Sequence, residues 1–200
     1  KKKFKIRKNS LLASFHTRNV PHKAHQWIHD LGLKKINNLL IQPLVGQYRK
    51  GEYKESIIIK TNKFLVEKIY RNENVYFATL YSYPRYAGPR EALLHSLIRK
   101  NYGCTHFFVG RDHAGIDKYY GKYESQKICK YYEKKIGINI IAFKEPYLCL
   151  GCRKIINRKC KICLSPNKLK ISGTFIRNLL LKNKKIPNKF MDKKISKMID

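Results

Sequence analysis

Leu11-Leu12-Ala13-Ser14-Phe15-His16-Thr17-Arg18-Asn19-Val20-Pro21-His22-Lys23-Ala24-His25 is the stretch whose reading decides the fold. Residues 11–15 suit a buried strand, the polar residues after them a turn, and the chain through Trp27 and Ile28 an amphipathic helix. His22 and His25 then stand three apart at a helix start. Both imidazoles can face one phosphate there, helped by free backbone N–H groups and the helix dipole. A His-x-x-His pair alone is more common as surface or core furniture. Its place directly after a strand and the turn Thr17-Arg18-Asn19 is what marks it.

Outward from this unit the pattern alternates. Strands are expected at 39–41, 75–81, 105–109 and 138–143, and helices at 56–70, from Pro89 onward, and at 125–135. Repeated strand–helix units imply an α/β fold with a mostly parallel sheet covered on both faces. Ligands of such sheets bind beyond the carboxyl ends of the strands. A second motif, Gly110-Arg111-Asp112-His113-Ala114-Gly115, follows an expected strand in the same way. Arg18 and Arg111 each offer a planar fork for a tetrahedral oxyanion, and Gly110 and Gly115 permit close backbone approach. One such arginine reads as an exposed turn residue, whereas two at equivalent strand ends favour an anion site. The third motif, Ile171-Ser172-Gly173-Thr174-Phe175-Ile176-Arg177, sets small hydroxyls at a helix start with Arg177 one turn on. That suits outer phosphates, although a plain N-cap accounts for Ser172 equally well. From Lys182 the Lys-rich tail keeps spaced Ile, Phe and Met and suggests a short packed helix. No Walker loop is present: Gly115 to Lys122 has five residues between its glycines and Tyr123 where Ser or Thr is required.

Cys149-x-x-Cys152, seven residues, then Cys160-x-x-Cys163 form two thiolate knuckles that match a closed, structural, tetrahedral zinc site on a small ribbon. Cys104 and Cys129 sit in apolar contexts and read as core.

The 200 residues suffice for one sizeable domain, and 43% hydrophobic content argues against disorder. There is no run of about 18 apolar residues to span a membrane. The start at Lys1-Lys2-Lys3-Phe4 lacks a signal peptide's apolar stretch and reads as an internal position, so a cytoplasmic protein is expected. The formal charge of +31 invites a nucleic-acid partner, but its lysines are scattered over every segment and read as a solvated face.

Arg85-Tyr86-Ala87-Gly88-Pro89-Arg90-Glu91-Ala92, Lys100 to Phe107, Val109 to Gly115, Pro43-Leu44-Val45-Gly46, Tyr119-Tyr120-Gly121 and residues 171–177 together closely resemble the ATP sulfurylase family. The likeness runs from about Leu11 to the C-terminus and covers that family's catalytic and C-terminal portion. It implies a Rossmann-like nucleotidyltransferase fold that joins ATP and sulfate to give adenosine 5′-phosphosulfate and pyrophosphate. By the same likeness Thr17, Arg18, Asn19, His22 and His25 are catalytic. ATP falls to His16, Thr17, Arg18, Asn19, Gly110, Arg111, Asp112, His113, Pro146, Ser172, Thr174 and Arg177, with Phe143 as a neighbouring gate. Sulfate falls to His16, Arg18, Arg111 and the Ala114 backbone. Magnesium is expected with ATP, zinc on the four cysteines, and a homo-oligomer as the assembly. The implied organisation is a stub at 1–10, a catalytic domain at 11–144, a zinc ribbon at 145–166 and a C-terminal helical segment at 167–200. His16 departs from a glutamine that touches sulfate in many members, and Val20-Pro21 from an Asn-Pro step. Adenylyl transfer to another acceptor, a basic zinc-ribbon protein that binds nucleic acid, and a scaffold without turnover are the competing readings.

Overall fold

The computed structural model describes residues 4–46, 51–116, 119–158, 160, 163 and 167–199. Four strand–helix steps and a final strand build the main body. Strand β1 (Ala13–Thr17) leads into helix α1 (Lys23–Ile36), then β2 (Leu39–Val45) and α2 (Glu55–Phe64), which runs on into a π-helical turn at Leu65–Ile69. Strands β3 (Val75–Phe77) and β4 (Leu80–Tyr81), α3 (Gly88–Asn101), β5 (His106–Val109), α4 (Glu124–Ile136) and β6 (Asn139–Ala142) follow. The sheet is parallel throughout, in the order β3-β2-β1-β5-β6, with β4 beside the far end of β2.

Chain reversal sets this order. The first crossovers move from β1 outward through β2 to β3, and the chain then returns to lay β5 on the other side of β1. The carboxyl ends of β1 and β5 therefore flank the point where the winding changes direction, which is where such sheets hold ligands. Alternation along the strands covers both faces. Ala13, Phe15, Leu39, Ile41 and Phe108 join one core with α1, α2 and the C-terminal helices. Leu40, Phe107, Val109 and Ile140 join the other with α3 and α4, and Cys104 and Cys129 are buried within it.

Local chemistry explains the boundaries. Strand β1 reaches Thr17 where the sequence pattern ends it at 15, because its backbone pairs with β2 as far as Thr17 opposite Pro43. His16 is consequently a strand residue. The single strand expected at 75–81 is two short ones that both pair with β2. The helix expected at 56–70 changes to π-winding after Phe64. Pro89 lies in the first turn of α3, as its fixed φ favours. Helix α1 ends on Asn37 at φ 60°, a left-handed cap.

Beyond the main sheet, β7 (Tyr147–Cys149), β8 (Ile155–Ile156) and β9 (Lys168–Lys170) form an antiparallel ribbon in the order β8-β7-β9. The ribbon's last strand thus lies past the limit of 166 read from the sequence. Helices α5 (Gly173–Leu181) and α6 (Lys193–Ser196) close the chain. Ile186, Phe190, Met191 and Ile195 of the Lys-rich tail are buried in the core beside α1. No helix among the described residues is long and apolar enough to cross a membrane.

Candidate active site

Two adjoining clefts open at the carboxyl ends of β1 and β5. The inner one, of ≈ 210 Å³, is lined by His16, Thr17, Arg18, Asn19, His22, His25, Gly110, Arg111, Asp112, His113, Ala114, Pro146 and Ser172. The outer one, of ≈ 900 Å³, shares Arg18, Asn19, Arg111, Asp112 and Ser172 and adds Thr174 and Arg177. Every site residue read from the sequence outside the cysteines lines one cleft or the other. The three motifs, spread from 17 to 177, converge on one place.

His22 is the N-cap of α1: its Nδ1 accepts the His25 backbone N–H at 3.3 Å. The two imidazoles stack with centroids 3.7 Å apart. Helix α1 offers an anion less backbone than its sequence suggests, since the Lys23 N–H is also committed, to the Phe190 carbonyl at 2.8 Å. What the pair does offer is side-chain polarity without partners. His22 Nε2 and His25 Nδ1 are buried and make no hydrogen bond among the described residues. Burial holds His25 well below the usual imidazole range and pulls His22 down to about 3, so both rings are neutral at pH 7.

Arg18 and Arg111 are each held by a carboxylate. Arg18 lies 3.6 Å from Glu52 and over the ring of Tyr86, whose hydroxyl donates to Glu52 at 3.3 Å. Arg111 Nε lies 3.2 Å from Glu145. An incoming oxyanion therefore competes with a carboxylate for each guanidinium. The loop carrying Arg111 is backbone-strained: Asp112 and Ala114 sit at φ 52° and 57°, a region non-glycine residues rarely adopt. A Cβ on Gly115 would meet the Asp112 carboxylate and force it to shift, whereas Gly110 faces open space.

From the other end of the chain, Ser172 caps α5 by accepting the Phe175 N–H at 3.1 Å. Arg177 donates to Asn19 Oδ1 at 2.7 Å and to Thr174 Oγ1 at 3.2 Å. Asn19 N–H in turn donates to Thr17 Oγ1 at 3.0 Å, which fixes the turn after β1. Phe143 lines the inner cleft and packs edge-on against Phe108.

The sequence reading missed what stands behind His16. Arg99 Nη2 donates to His16 Nδ1 at 2.8 Å, and His95 Nδ1 shares a hydrogen bond of 3.1 Å with His113 Nε2. His95 Nε2 lies 3.5 Å from Glu91. The signal was in α3: its buried face carries Glu91, His95, Ser96 and Arg99 at helical spacing, polar residues where a core stripe is expected. The ligand atoms of His16, His95 and His113 lie within 4.8 Å of one another, but the adjacent guanidinium opposes a cation among them.

The four ribbon sulfurs also lie within 4.8 Å of one another, with Cys149 and Cys163 3.1 Å apart and Cys152 and Cys160 3.6 Å apart. Soft sulfur donors converging in this way fit one thiophilic metal ion.

The chain as a whole has known relatives. The family model for ATP-sulfurylase matches residues 1–200, the whole chain. The chain belongs to the ATP-sulfurylase family. Within it, the sulfate adenylyltransferase of Ignicoccus hospitalis is 38% identical over 190 residues, covering 94% of this chain and 49% of that protein. The sulfate adenylyltransferase of Pyrococcus abyssi is 37% identical over 198 residues, covering 98% and 52%. The chain spans about half the length of the curated relatives it matches. A solved structure titled as a hexameric APS kinase from Thiobacillus denitrificans shares the fold, with a TM-score of 0.70 at 17% identity over 94% of this chain and 35% of that one.

Proposed function

We propose that this family member carries the adenylylation centre itself: sulfate attacks the α-phosphorus of ATP in line, giving adenosine 5′-phosphosulfate and pyrophosphate. One observation carries the reading, the convergence of Arg18, Arg111, His22 and His25 on one cleft where the sheet changes winding direction. Sulfate is fully ionised at neutral pH and needs no base. The chemistry asks for positioning and charge neutralisation, which these donors supply.

In this reading Arg18, Arg111, His16 and the Ala114 backbone hold sulfate. His22 and His25 face the bridging and non-bridging phosphate oxygens, where negative charge builds. Thr17, Asn19, Gly110, Asp112, His113, Pro146, Ser172, Thr174 and Arg177 seat the nucleotide. Residues 11–144 act as the catalytic domain, and the ribbon and C-terminal segment complete its rim. Magnesium enters with the triphosphate as part of the substrate. Zinc is the metal on Cys149, Cys152, Cys160 and Cys163, a structural ion with no position left for substrate. Assembly as a homo-oligomer and residence in the cytoplasm belong to the same reading.

The test is sulfate-dependent release of pyrophosphate from ATP by the wild-type chain and by Arg111→Ala. Loss of one oxyanion contact should lower the rate about a hundred-fold or more. An unchanged rate in the variant would remove Arg111 from the site.

A further inference from the structure

Arg99 sits at the back of the inner cleft in an unusual state. It is 0% exposed, yet among the described residues no carboxylate lies within ion-pair distance of it. Its Nη2 donates to His16 Nδ1 at 2.8 Å and to the Gln42 carbonyl at 3.4 Å, while Nε and Nη1 have no partner among the described residues. Beside it the Gln42 amide is also unpartnered at both atoms. Its remaining support is the ring of Phe107, 5.7 Å from the guanidinium carbon. A buried cation without a counter-charge is costly, and a purely structural role would be filled at lower cost by an apolar side chain.

The geometry reaches the cleft through one ring. Guanidinium only donates hydrogen bonds, so His16 Nδ1 must be the acceptor and the proton of the neutral ring must sit on Nε2. Burial, then the neighbouring charges, among them Arg99, hold His16 well below the usual imidazole range, so the ring stays neutral. Arg99 itself is pulled down only to about 10 and remains charged at neutral pH. His16 is the last residue but one of β1, pinned in register opposite Gln42, and it lines the inner cleft.

We propose that Arg99 is a positioning residue for the anion subsite, locking His16 as the Nε2–H donor and placing an uncompensated positive charge one imidazole behind the bound oxyanion. The charge gains its counter-ion when the cleft is occupied, so the effect falls on anion binding more than on the chemical step. Naming the anion as sulfate rests on the adenylyl-transfer reading; the lock itself does not.

Two measurements on the 200-residue chain separate these. Nitrogen-15 NMR of the histidine rings, with the His16 signals identified by their loss in His16→Gln, reads the tautomer directly. The wild-type chain and Arg99→Lys, which keeps a charged donor, should show Nδ1 as the bare nitrogen of His16. Arg99→Met should show mixed tautomers, and sulfate KM should rise at least ten-fold with ATP KM and kcat within about three-fold; Arg99→Lys should recover most of that loss. Should the Met variant fail to fold, Arg99→Gln, which can still donate but has no charge, keeps the tautomer and loses the sulfate affinity. A wild-type His16 protonated on Nδ1, or a folded Arg99→Met with unchanged tautomer and sulfate KM, overturns the proposal. The lock present without sulfate-dependent turnover would support Arg99's role and overturn the adenylyl-transfer reading instead.

Discussion

Arg177 donates a 2.7 Å hydrogen bond to Asn19, tying together residues 158 positions apart in the chain. The bond is possible because α5 starts with Gly173, against which the Asn19 amide lies. A Cβ on Gly173 would overlap the Asn19 side-chain amide. The glycine of the third motif is therefore a contact surface for the first motif, and the two halves of the outer cleft are registered by it.

Gly173→Ala should displace Asn19, break its bond to Arg177 and lower the specificity constant for ATP by ten-fold or more, or about 1.4 kcal/mol. Alanine is the better helix former, so the melting temperature should stay within a few degrees of wild type. Steady-state kinetics and thermal unfolding on one preparation check this. A variant as active as wild type would mean that the Asn19 contact has no part in the site.

The ribbon carries a separate expectation. Four converging sulfurs should hold one zinc per chain, and removing it should loosen β7, β8 and β9 while the main sheet keeps its melting transition. Elemental analysis of anaerobically purified protein, followed by limited proteolysis with and without chelator, reads both. Metal-free protein with a protease-resistant ribbon would remove the ion from the structure's account.

Much of this architecture was legible in the chain, and the failures are instructive. Alternation of apolar runs located all five units of the main sheet, and motif position after a strand brought together Thr17 and Arg111, while Arg177 was read from a helix start. Local pattern could not show where β1 ends, because His16 and Thr17 are polar yet paired by the neighbouring strand. Nor could it show which charges neutralise which. Glu52 and Glu145 meet Arg18 and Arg111 only through the fold. Arg99 looks like one more surface lysine or arginine until α3 is seen to turn its polar stripe inward.

Buried histidines elsewhere in the fold should make the protein acid-sensitive. Burial pulls His22, His29 and His113 down to about 3. Below the ordinary imidazole value near 6.5, the unfolded chain binds protons that the folded chain refuses, so stability falls as pH falls. Each such ring contributes about 1.4 kcal/mol per pH unit between roughly 6.5 and 3, and nothing above that window. The melting temperature should be level above pH 7 and drop steeply below pH 6. A level curve down to pH 4 would show that these rings protonate in place.

The histidine pair offers the sharpest separation of chemistry from packing. His22 is placed for either role: Nδ1 caps α1, while Nε2 lacks a partner among the described residues and lies beside the cleft. His25 lends only its backbone N–H to the cap, so its imidazole can be removed without uncapping the helix. If that ring stabilises charge developing on the phosphates, His25→Ala should lower kcat and kcat/KM together by about a hundred-fold or more and leave ATP binding nearly unchanged. If the ring only packs against His22 and Phe15, which it approaches at 3.7 and 5.1 Å between centroids, the loss should appear as a lower melting temperature with kcat preserved. His22→Ala should show both losses at once, because it removes the cap, worth about 1 kcal/mol, as well as the ring. A His25→Ala protein that melts early and turns over normally would assign the pair to packing alone.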